Sequence, residues 1–278
     1  MFKKNKNKIV IFGKNGFIAS AIIDILNKNN YKIKSFSKNE LDLLNENSFL
    51  KIDKVLKKDD IVLFCSALAP VKNYSIFFKN IKMSENFCKI KKKNLISAFF
   101  YLSSDAVYSD SMKRINENSE TNPDSLHGLM HIMREKIFSN FFSKKFYFIR
   151  PTLVYGKNDP HNGYGPNKFY REAKNNKKIE IFGNGEEVRD HICIDDVAKS
   201  FLKILQSRKF SNYNFVTGKE LSFLDIAKII QEFIGDITIK KLKRKGKMPH
   251  NGYRVFDAKK LKKINNSTLS ILDYINHD

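Results

Sequence analysis

Two histidines one helical turn apart are the side chains of this sequence best suited to acid–base chemistry. His127 and His131 lie in the stretch Ser125-Leu-His-Gly-Leu-Met-His131. Their i, i+4 spacing puts both rings on one face of a helix. An imidazole has an ordinary pKa of about 6.5, so His127 can act as acid or base near neutral pH without an activating cation. Two alternatives stay open. One is a metal site of the HExxH kind, which the lack of an intervening glutamate disfavours; the other is a purely structural pair.

A glycine-rich turn near the start of the chain is a second candidate site. The apolar run Lys8–Phe12 leads into Gly13, Asn15, Gly16, Phe17 and Ile18, and helical periodicity continues to Leu26. Glycines allow a tight turn whose backbone N–H groups face a pyrophosphate at the N-terminus of the helix. Strand, turn and helix in this order predict binding of a nicotinamide dinucleotide.

The choice between NAD and NADP depends on the residues that follow the second strand. An acid there would bind the ribose 2′-hydroxyl, whereas a cation would accept a 2′-phosphate. Ser37 and Lys38 occupy this place, and the first acid is Glu40. The cofactor is therefore expected to be NAD or NADP, with NADP slightly favoured, while Lys38 can also be one solvated lysine among many.

These candidates need a scaffold, and the first half of the chain alternates strand-like and helix-like segments. Such alternation predicts an α/β fold, with a doubly wound parallel sheet of the Rossmann type and helices on both faces. Strands are expected at 8–12, 31–36, 61–64, 98–102 and 146–149, and helices at 17–26, 48–56, 76–90 and 125–142.

Beyond Pro151 the pattern changes, which predicts a smaller C-terminal lobe. Residues 156–166 are rich in Gly, Pro, Asn and Asp, as is typical of a long loop. Helices are expected at 195–206 and 223–234, and short strands at 179–182 and 213–216. The expected division is a dinucleotide-binding domain at 1–155, which also receives part of 190–217, and a substrate-binding lobe at 156–189 and 218–278.

Composition excludes several classes of protein. The chain has 278 residues, 42% of them hydrophobic, and a formal net charge of +22. Lysine supplies most of the positive charge, whereas nucleic-acid readout relies on arginine, so no nucleic acid is expected as a partner. The three cysteines have no ligand spacing, and no apolar run is long enough to span a membrane. A cytoplasmic protein without a membrane partner or a metal is expected.

Several motifs together resemble the extended short-chain dehydrogenase/reductase family, in its NAD-dependent epimerase/dehydratase branch. The resemblance covers nearly the whole chain. The motifs are Gly13–Ile18, Leu41-Asp-Leu43, Asn80, Tyr101-Leu-Ser-Ser-Asp-Ala-Val-Tyr108, Arg150-Pro-Thr-Leu-Val-Tyr-Gly156, Phe182-Gly-Asn-Gly-Glu-Glu-Val-Arg-Asp190 and Ile194-Asp-Asp-Val-Ala198.

The resemblance assigns roles to particular residues. Ser104 would hydrogen-bond the reacting sugar oxygen; the alternative is a serine that caps the following turn. Asp42, Leu43, Ala67 and Asn80 would join the cofactor site. Arg189, with Arg254, would hold the diphosphate of a nucleotide-diphosphate sugar, or Arg189 would pair with Asp190 or Asp196. Asn167 would add a contact to the nucleotide. A homodimer is also implied.

The main departure from the family lies at the two histidines. The family has a tyrosine where His127 stands and a lysine where His131 stands. A neutral His131 could still hydrogen-bond the nicotinamide ribose, but it supplies no fixed charge. Lys136 lies on the opposite face of the helix, and Arg134 lies about two turns from His127, so Arg134 is expected at the surface or at a nucleotide contact. Another tyrosine, Tyr155 or Tyr164, is an alternative proton donor.

The expected activity is hydride transfer at a sugar carbon, as an epimerase or a 4-ketoreductase in surface-polysaccharide or deoxysugar biosynthesis. Ala106 stands where the 4,6-dehydratases of the family have a glutamate, which disfavours dehydration. Leu153 stands where 4-epimerases often have an asparagine. The rival hypothesis is an NAD(P)-binding regulator or assembly protein with little or no turnover, because the Tyr/Lys pair is lost.

Overall fold

The computed structural model describes residues 7–160 and 162–276, and the chain forms two compact units. Among the described residues, unit 1 holds 7–109, Ser119–Pro151 and Phe201–Tyr213, and unit 2 holds Asp110–Asn118, Thr152–Ser200 and 214–276. The second segment of unit 1 ends at Pro151, whereas the sequence-based boundary was placed at 155. The segment Asp110–Asn118, which the sequence places in the first domain, belongs to unit 2.

The strands and helices are numbered in chain order. The strands are β1 (Ile9–Phe12), β2 (Ile33–Phe36), β3 (Ile61–Phe64), β4 (Ala98–Leu102), β5 (Phe146–Pro151), β6 (Leu153–Tyr155), β7 (Lys178–Phe182), β8 (Val188–Arg189), β9 (His191–Cys193), β10 (Tyr213–Phe215), β11 (Leu221–Ser222), β12 (Thr238–Leu242) and β13 (Tyr253–Arg254). The helices are α1 (Phe17–Lys28), α2 (Ser48–Val55), α3 (Tyr74–Phe87), α4 (Leu126–Phe142), α5 (Pro166–Asn176), α6 (Ile194–Ser207), α7 (Phe223–Ile234), α8 (Lys259–Lys262) and α9 (Ile271–Asn276).

Unit 1 is built on a parallel sheet with strand order β5-β4-β3-β1-β2, and β10, which begins at Tyr213, lies next to β5. The chain order reverses on either side of β1, since β1 pairs with both β2 and β3. Such a switch point leaves a crevice at the carboxyl ends of the strands. The α/β fold with a parallel sheet, predicted from the alternation of the sequence, is confirmed.

The core of unit 1 is dominated by phenylalanine. β1, β3 and β4 are buried on both faces, so they are apolar runs rather than alternating ones. On one face Phe64, Phe87, Phe99 and Phe138 pack with ring centroids 4.9 to 6.2 Å apart. This packing seats α3 and α4 firmly on the sheet, and α4 carries the two histidines.

Unit 2 contains short strands, the first half of α6 and the helices α5, α7, α8 and α9. The helices α5 and α7 pack on each other and on β7. Its described pairings are β11-β8-β13, β7 with β12, and β6 with β9. The described residues of the loop predicted after Gly156 form no regular element before α5 begins at Pro166. β6, β8, β9, β11 and β13 were not expected from the sequence, because strands of two or three residues carry no readable periodicity. The helices α5, α8 and α9 and the strand β12 were also not expected.

Candidate functional site

The glycine turn after β1 fits tightly against the end of β3. Gly13 has φ +89°, and a Cβ there would lie 2.8 Å from the Ser66 backbone nitrogen. The N–H groups of Gly13 and Lys14 donate to the carbonyl of Phe36 at 2.9 and 3.0 Å. Only glycine satisfies both the positive φ and the close approach, so the turn joins the carboxyl ends of β1, β2 and β3.

A cleft of about 210 Å³ lies beside this turn. Eight of the residues predicted to bind the cofactor line it, together with Leu41, Leu44, Cys65, Ser66, Leu68 and Met83; the eight are Gly13, Asn15, Gly16, Ser37, Lys38, Asp42, Leu43 and Ala67. Phe17 and Ile18 are outside this lining and form the first turn of α1. No side chain of the described residues caps α1 at Gly16, so the first N–H groups of the helix are left for an anion. The cleft therefore fits a dinucleotide.

The loop after β2 folds so that the Glu40 carboxylate lies beside Ser37, the position just after the strand. The Glu40 carboxylate accepts hydrogen bonds from the backbone N–H and the hydroxyl of Ser37, each at 2.8 Å. Lys14 pairs with Glu40 at 2.8 Å. The hydrogen bond from Lys14, followed by those from Ser37, lowers the pKa of Glu40 to about 2. Lys38 is exposed and lines the cleft, as does Asp42, so this part of unit 1 carries two lysines and two carboxylates.

Asn80 supports the cleft wall and is itself completely buried. Its amide oxygen accepts the N–H of Leu68 at 2.9 Å, and its nitrogen donates to the carbonyls of Leu68 and Ile76 at 3.0 and 2.9 Å. These hydrogen bonds hold the segment after β3 in place. The contact of Asn80 with the cofactor stays a prediction.

The two histidines lie side by side near the start of α4. Ser125 caps the helix by accepting the Gly128 N–H at 3.0 Å, and the rings of His127 and His131 meet edge to face with centroids 4.7 Å apart. A Cβ at Gly128 would lie 2.1 Å from the carbonyl oxygen of Ala106. Gly128 thus lets α4 approach the 3-10 helix Asp105–Val107 more closely than any other residue would allow.

Ser104 begins that 3-10 helix. Its hydroxyl oxygen accepts the N–H of Ala106 at 3.1 Å, which is the capping role foreseen as the alternative. The hydroxyl proton points towards Asp105, whose carboxylate is 3.4 Å away. The Asp105 carboxylate also acts on His127, where it partly opposes the burial that lowers the pKa of the imidazole. Ser104, Asp105 and His127 therefore belong to one neighbourhood.

His131 contacts Tyr101, to which the sequence analysis gave no role of its own. The Tyr101 hydroxyl lies 2.7 Å from His131 Nδ1, and both side chains are buried. Burial is the largest cause that lowers the pKa of His131 well below its ordinary value and raises the pKa of Tyr101. The alternation of β4 could have revealed Tyr101, because it shares a face with Ser103 and points towards α4.

Arg134 is not at the surface, contrary to the expectation from the sequence. It has no exposed area, and it donates to the Ser84 hydroxyl at 2.7 Å and to the Ser66 carbonyl at 2.8 Å. Next to it on α4, Glu135 accepts the Ser103 hydroxyl at 2.6 Å and the Arg150 Nε at 2.8 Å. Arg134, Glu135 and Arg150 are therefore buried charged residues on α4 and β5.

Two predicted substrate residues of unit 2 stand opposite each other in one sheet. Arg254 of β13 pairs in register with Arg189 of β8, so both side chains leave the same face. Arg189 donates to the Glu187 carboxylate at 2.6 Å and to the Pro249 carbonyl at 2.7 Å. Arg254 lies 3.3 Å from Asp110. The partner of Arg189 is thus Glu187, whereas Asp190 binds Thr217 and Gly218 and Asp196 binds Leu269.

Asn167 organises the loop that precedes α5. Its amide exchanges hydrogen bonds with the N–H and carbonyl of Gly156 at 3.2 Å and donates to Asp159 at 2.8 Å. The residue is buried, and its amide holds the loop after Gly156. Its contact with the nucleotide stays a prediction.

The alternative proton donors of unit 2 have other surroundings. Tyr155 is buried, which raises its pKa, and it contacts Tyr274. The Tyr164 hydroxyl accepts the Phe182 N–H at 2.8 Å. Tyr155 and His191 line a cavity of about 590 Å³ in unit 2, and neither ring nitrogen of His191 has a hydrogen-bond partner among the described residues.

Two structural absences hold for residues 7–160 and 162–276. No three His, Cys, Asp or Glu side chains cluster as metal ligands would, so His127 and His131 have no third ligand. None of the helices in these residues combines the length and the apolar character needed to cross a bilayer.

The architecture of unit 1 and its cleft define a dinucleotide-binding protein of the Rossmann class. The family model for the NAD dependent epimerase/dehydratase family matches residues 9–216, and the chain belongs to that family. The dTDP-D-glucose 4,6-dehydratase of Dictyostelium discoideum is 29% identical over 259 residues; the match covers 82% of this chain and spans 56% of the length of that relative.

Two solved structures share the fold. The UDP-glucuronic acid 4-epimerase of Bacillus cereus, in complex with NAD, superposes with a TM-score of 0.80 at 19% identity and covers 96% of both chains. A dTDP-4-dehydrorhamnose reductase of Clostridium acetobutylicum gives a TM-score of 0.79 at 20% identity, with 97% of this chain and 99% of that chain covered.

Proposed function

We propose that the chain is an NAD(P)-dependent enzyme that epimerises or reduces a nucleotide sugar by hydride transfer at a sugar carbon, in surface-polysaccharide or deoxysugar biosynthesis. The cleft in unit 1 carries this proposal, because eight residues predicted to bind the cofactor line it next to the open N-terminus of α1. The family and the named activities of the relatives support it. A bound nicotinamide would accept or give the hydride, and the chain supplies the positioning and the proton transfer.

In this proposal Ser104 and His127 act on the sugar. Ser104 keeps its oxygen fixed by the Ala106 N–H, and its hydroxyl proton turns from the long 3.4 Å contact with Asp105 to a sugar oxygen. Burial lowers the pKa of His127, so the ring is neutral at neutral pH and can take the proton of a sugar hydroxyl. Asp105 favours the charged ring that results, because its carboxylate raises that pKa.

Arg189 and Arg254 hold the diphosphate in this proposal. Their shared sheet face in unit 2 presents two guanidinium groups, and Arg244 stands nearby through its ion pair with Glu187. Three arginines face two acids, Glu187 and Asp110. The excess positive charge suits a diphosphate, which arginine can hold in a bidentate manner.

The preference for NADP is part of the same proposal. Lys38 is an exposed cation that lines the cleft just after β2, which modestly favours a 2′-phosphate. Glu40→Gln should therefore raise the affinity for NADP relative to NAD, because it removes the only described carboxylate in contact with Ser37. A homodimer in the cytoplasm is also proposed; it rests on the resemblance alone, and light scattering tests the dimer.

Calorimetric titration with NAD, NADP and a panel of UDP-, dTDP- and GDP-sugars tests the proposal. Gly16→Ala adds a methyl group to the lining, where its Cβ would lie 3.3 Å from the Gly13 carbonyl oxygen. Dinucleotide binding should weaken at least about tenfold, or about 1.4 kcal/mol. The matched control is Gly163→Ala, whose Cβ meets no described atom within 4 Å, and its binding should be unchanged. Failure of the wild type to bind either dinucleotide refutes the proposal.

A further inference from the structure

Arg134 is a buried cation without an anion beside it. In the described part of the chain its close partners are the Ser84 hydroxyl, the Ser66 carbonyl, the Met130 sulfur and the Tyr101 side chain, and none is a carboxylate. The guanidinium carbon lies 5.0 Å from the ring centre of Phe64 and 5.2 Å from that of Tyr101. An isolated buried charge is costly. The positive charge of Arg134 acts on His131, which lies one turn earlier on α4.

That field acts on the contact between Tyr101 and His131. The two groups are 2.7 Å apart, and two arrangements are possible: the phenol donates to Nδ1, or a protonated Nδ1 donates to the phenol oxygen. A nearby cation makes the phenol O–H more acidic and therefore a stronger donor. The same cation disfavours the imidazolium form of His131. The first effect favours a tyrosine that donates and a histidine that accepts at Nδ1, and the second favours a neutral imidazole.

The other groups around His131 do not reverse this balance. On α4 they are His127 and Glu135, with Arg134 itself; from the neighbouring strands they are Tyr101 on β4 and Arg150 on β5, with Cys65 after β3. Glu135 is the only carboxylate in this set, and Arg150 neutralises it in a buried ion pair. Arg134, Arg150 and His127 each lower the pKa of His131.

We infer that Arg134, acting through Tyr101, holds His131 as the neutral tautomer with its proton on Nε2. In that tautomer His131 always offers an N–H donor and never an acceptor at Nε2. The inference rests on the proposed function, since the group that this donor would serve is the nicotinamide ribose. In the family a lysine at the position of His131 carries a positive charge. Here the buried Arg134 carries a positive charge, and it acts on the imidazole through the hydrogen bond of Tyr101. Tyr101 and Arg134 are therefore positioning residues.

Nitrogen NMR of the protein labelled with ¹⁵N-histidine tests the tautomer without any substrate. His131→Gln identifies the His131 signals among those of the six histidines. The expected spectrum has a protonated Nε2 and an unprotonated Nδ1, unchanged between about pH 5 and 8. An Nδ1–H tautomer, or an imidazolium at neutral pH, would overturn the inference even if the dinucleotide binds. A dinucleotide that fails to bind while the Nε2–H tautomer is present would refute the proposed function instead.

Two variants separate positioning from mere packing. Tyr101→Phe preserves the ring and should produce a mixture of tautomers, with dinucleotide affinity reduced about threefold to tenfold. Arg134→Lys retains a charge in a smaller group and should keep the Nε2–H tautomer, whereas Arg134→Met should make His131 titrate at higher pH. Tyr147→Phe is the matched control, since its hydroxyl donates to the exposed Lys144 carbonyl. An unchanged His131 spectrum in folded Tyr101→Phe would contradict the role of Tyr101.

Discussion

Replacement of Gly128 by alanine should separate catalysis from stability. The new Cβ would lie 2.1 Å from the Ala106 carbonyl oxygen and 2.6 Å from Pro123 Cβ. A carbon atom approaches a carbonyl oxygen to about 3.3 Å, so α4 and the 3-10 helix Asp105–Val107 must move apart by roughly 1 Å. His127 moves with α4, and Ser104 stays with the 3-10 helix.

The expected losses follow from that displacement. Overpacking costs about 1–3 kcal/mol, offset by the better helix propensity of alanine, about 0.5–1 kcal/mol. A misplacement of about 1 Å between reacting groups can reduce the rate about 100-fold. The variant should therefore unfold only a few degrees lower, while kcat/KM for the converted nucleotide sugar falls about 100-fold. Thermal unfolding and steady-state kinetics, with Gly163→Ala as control, measure the two. A folded Gly128→Ala protein with wild-type kcat/KM would refute the reasoning.

Three further predictions concern buried groups. Burial lowers the pKa of His191 to about 3, so below about pH 6.5 the unfolded chain binds a proton that the folded chain does not, and the free energy of unfolding falls by up to about 1.4 kcal/mol per pH unit until pH 3. His191→Leu should remove the contribution of His191 to the fall in the free energy of unfolding between pH 7 and pH 5, measured by urea unfolding. An equal fall in the wild type and the variant would contradict the prediction. Arg150→Met leaves Glu135 charged and buried and should cost about 3–5 kcal/mol; a loss below about 1 kcal/mol by denaturant unfolding would show that the pair is not needed. Asn80→Ala leaves the N–H and carbonyl of Leu68 unpaired, at about 1–3 kcal/mol each, and calorimetry should show weaker dinucleotide binding than in the wild type.

Much of unit 1 could be predicted because its signals are local. β3 and β4 are runs of apolar residues whose observed bounds match the expected ones. The glycine turn is specified by Gly13, where both the positive φ and the contact with Ser66 exclude a side chain. The pairing of His127 with His131 follows from helix geometry alone.

The rest could not be predicted because it depends on contacts between distant residues. A single arginine on a helix is usually solvated, and the burial of Arg134 follows from Ser84 on α3 and the Ser66 carbonyl. The pairing of Arg189 with Glu187 rather than Asp190 depends on Thr217 and Gly218, which occupy Asp190. The role of Gly128 requires the position of Ala106, which no spacing in the sequence encodes.

The most direct test of the central claim follows the absorbance of the reduced nicotinamide, and the sugar product, while wild type and His127→Ala are incubated with dinucleotide and each nucleotide sugar. We predict that the wild type converts at least one nucleotide sugar, and that His127→Ala binds dinucleotide and sugar normally but has lost turnover. Tight dinucleotide binding by a wild type that neither binds nor converts any nucleotide sugar would contradict the account and leave a dinucleotide-dependent binding protein.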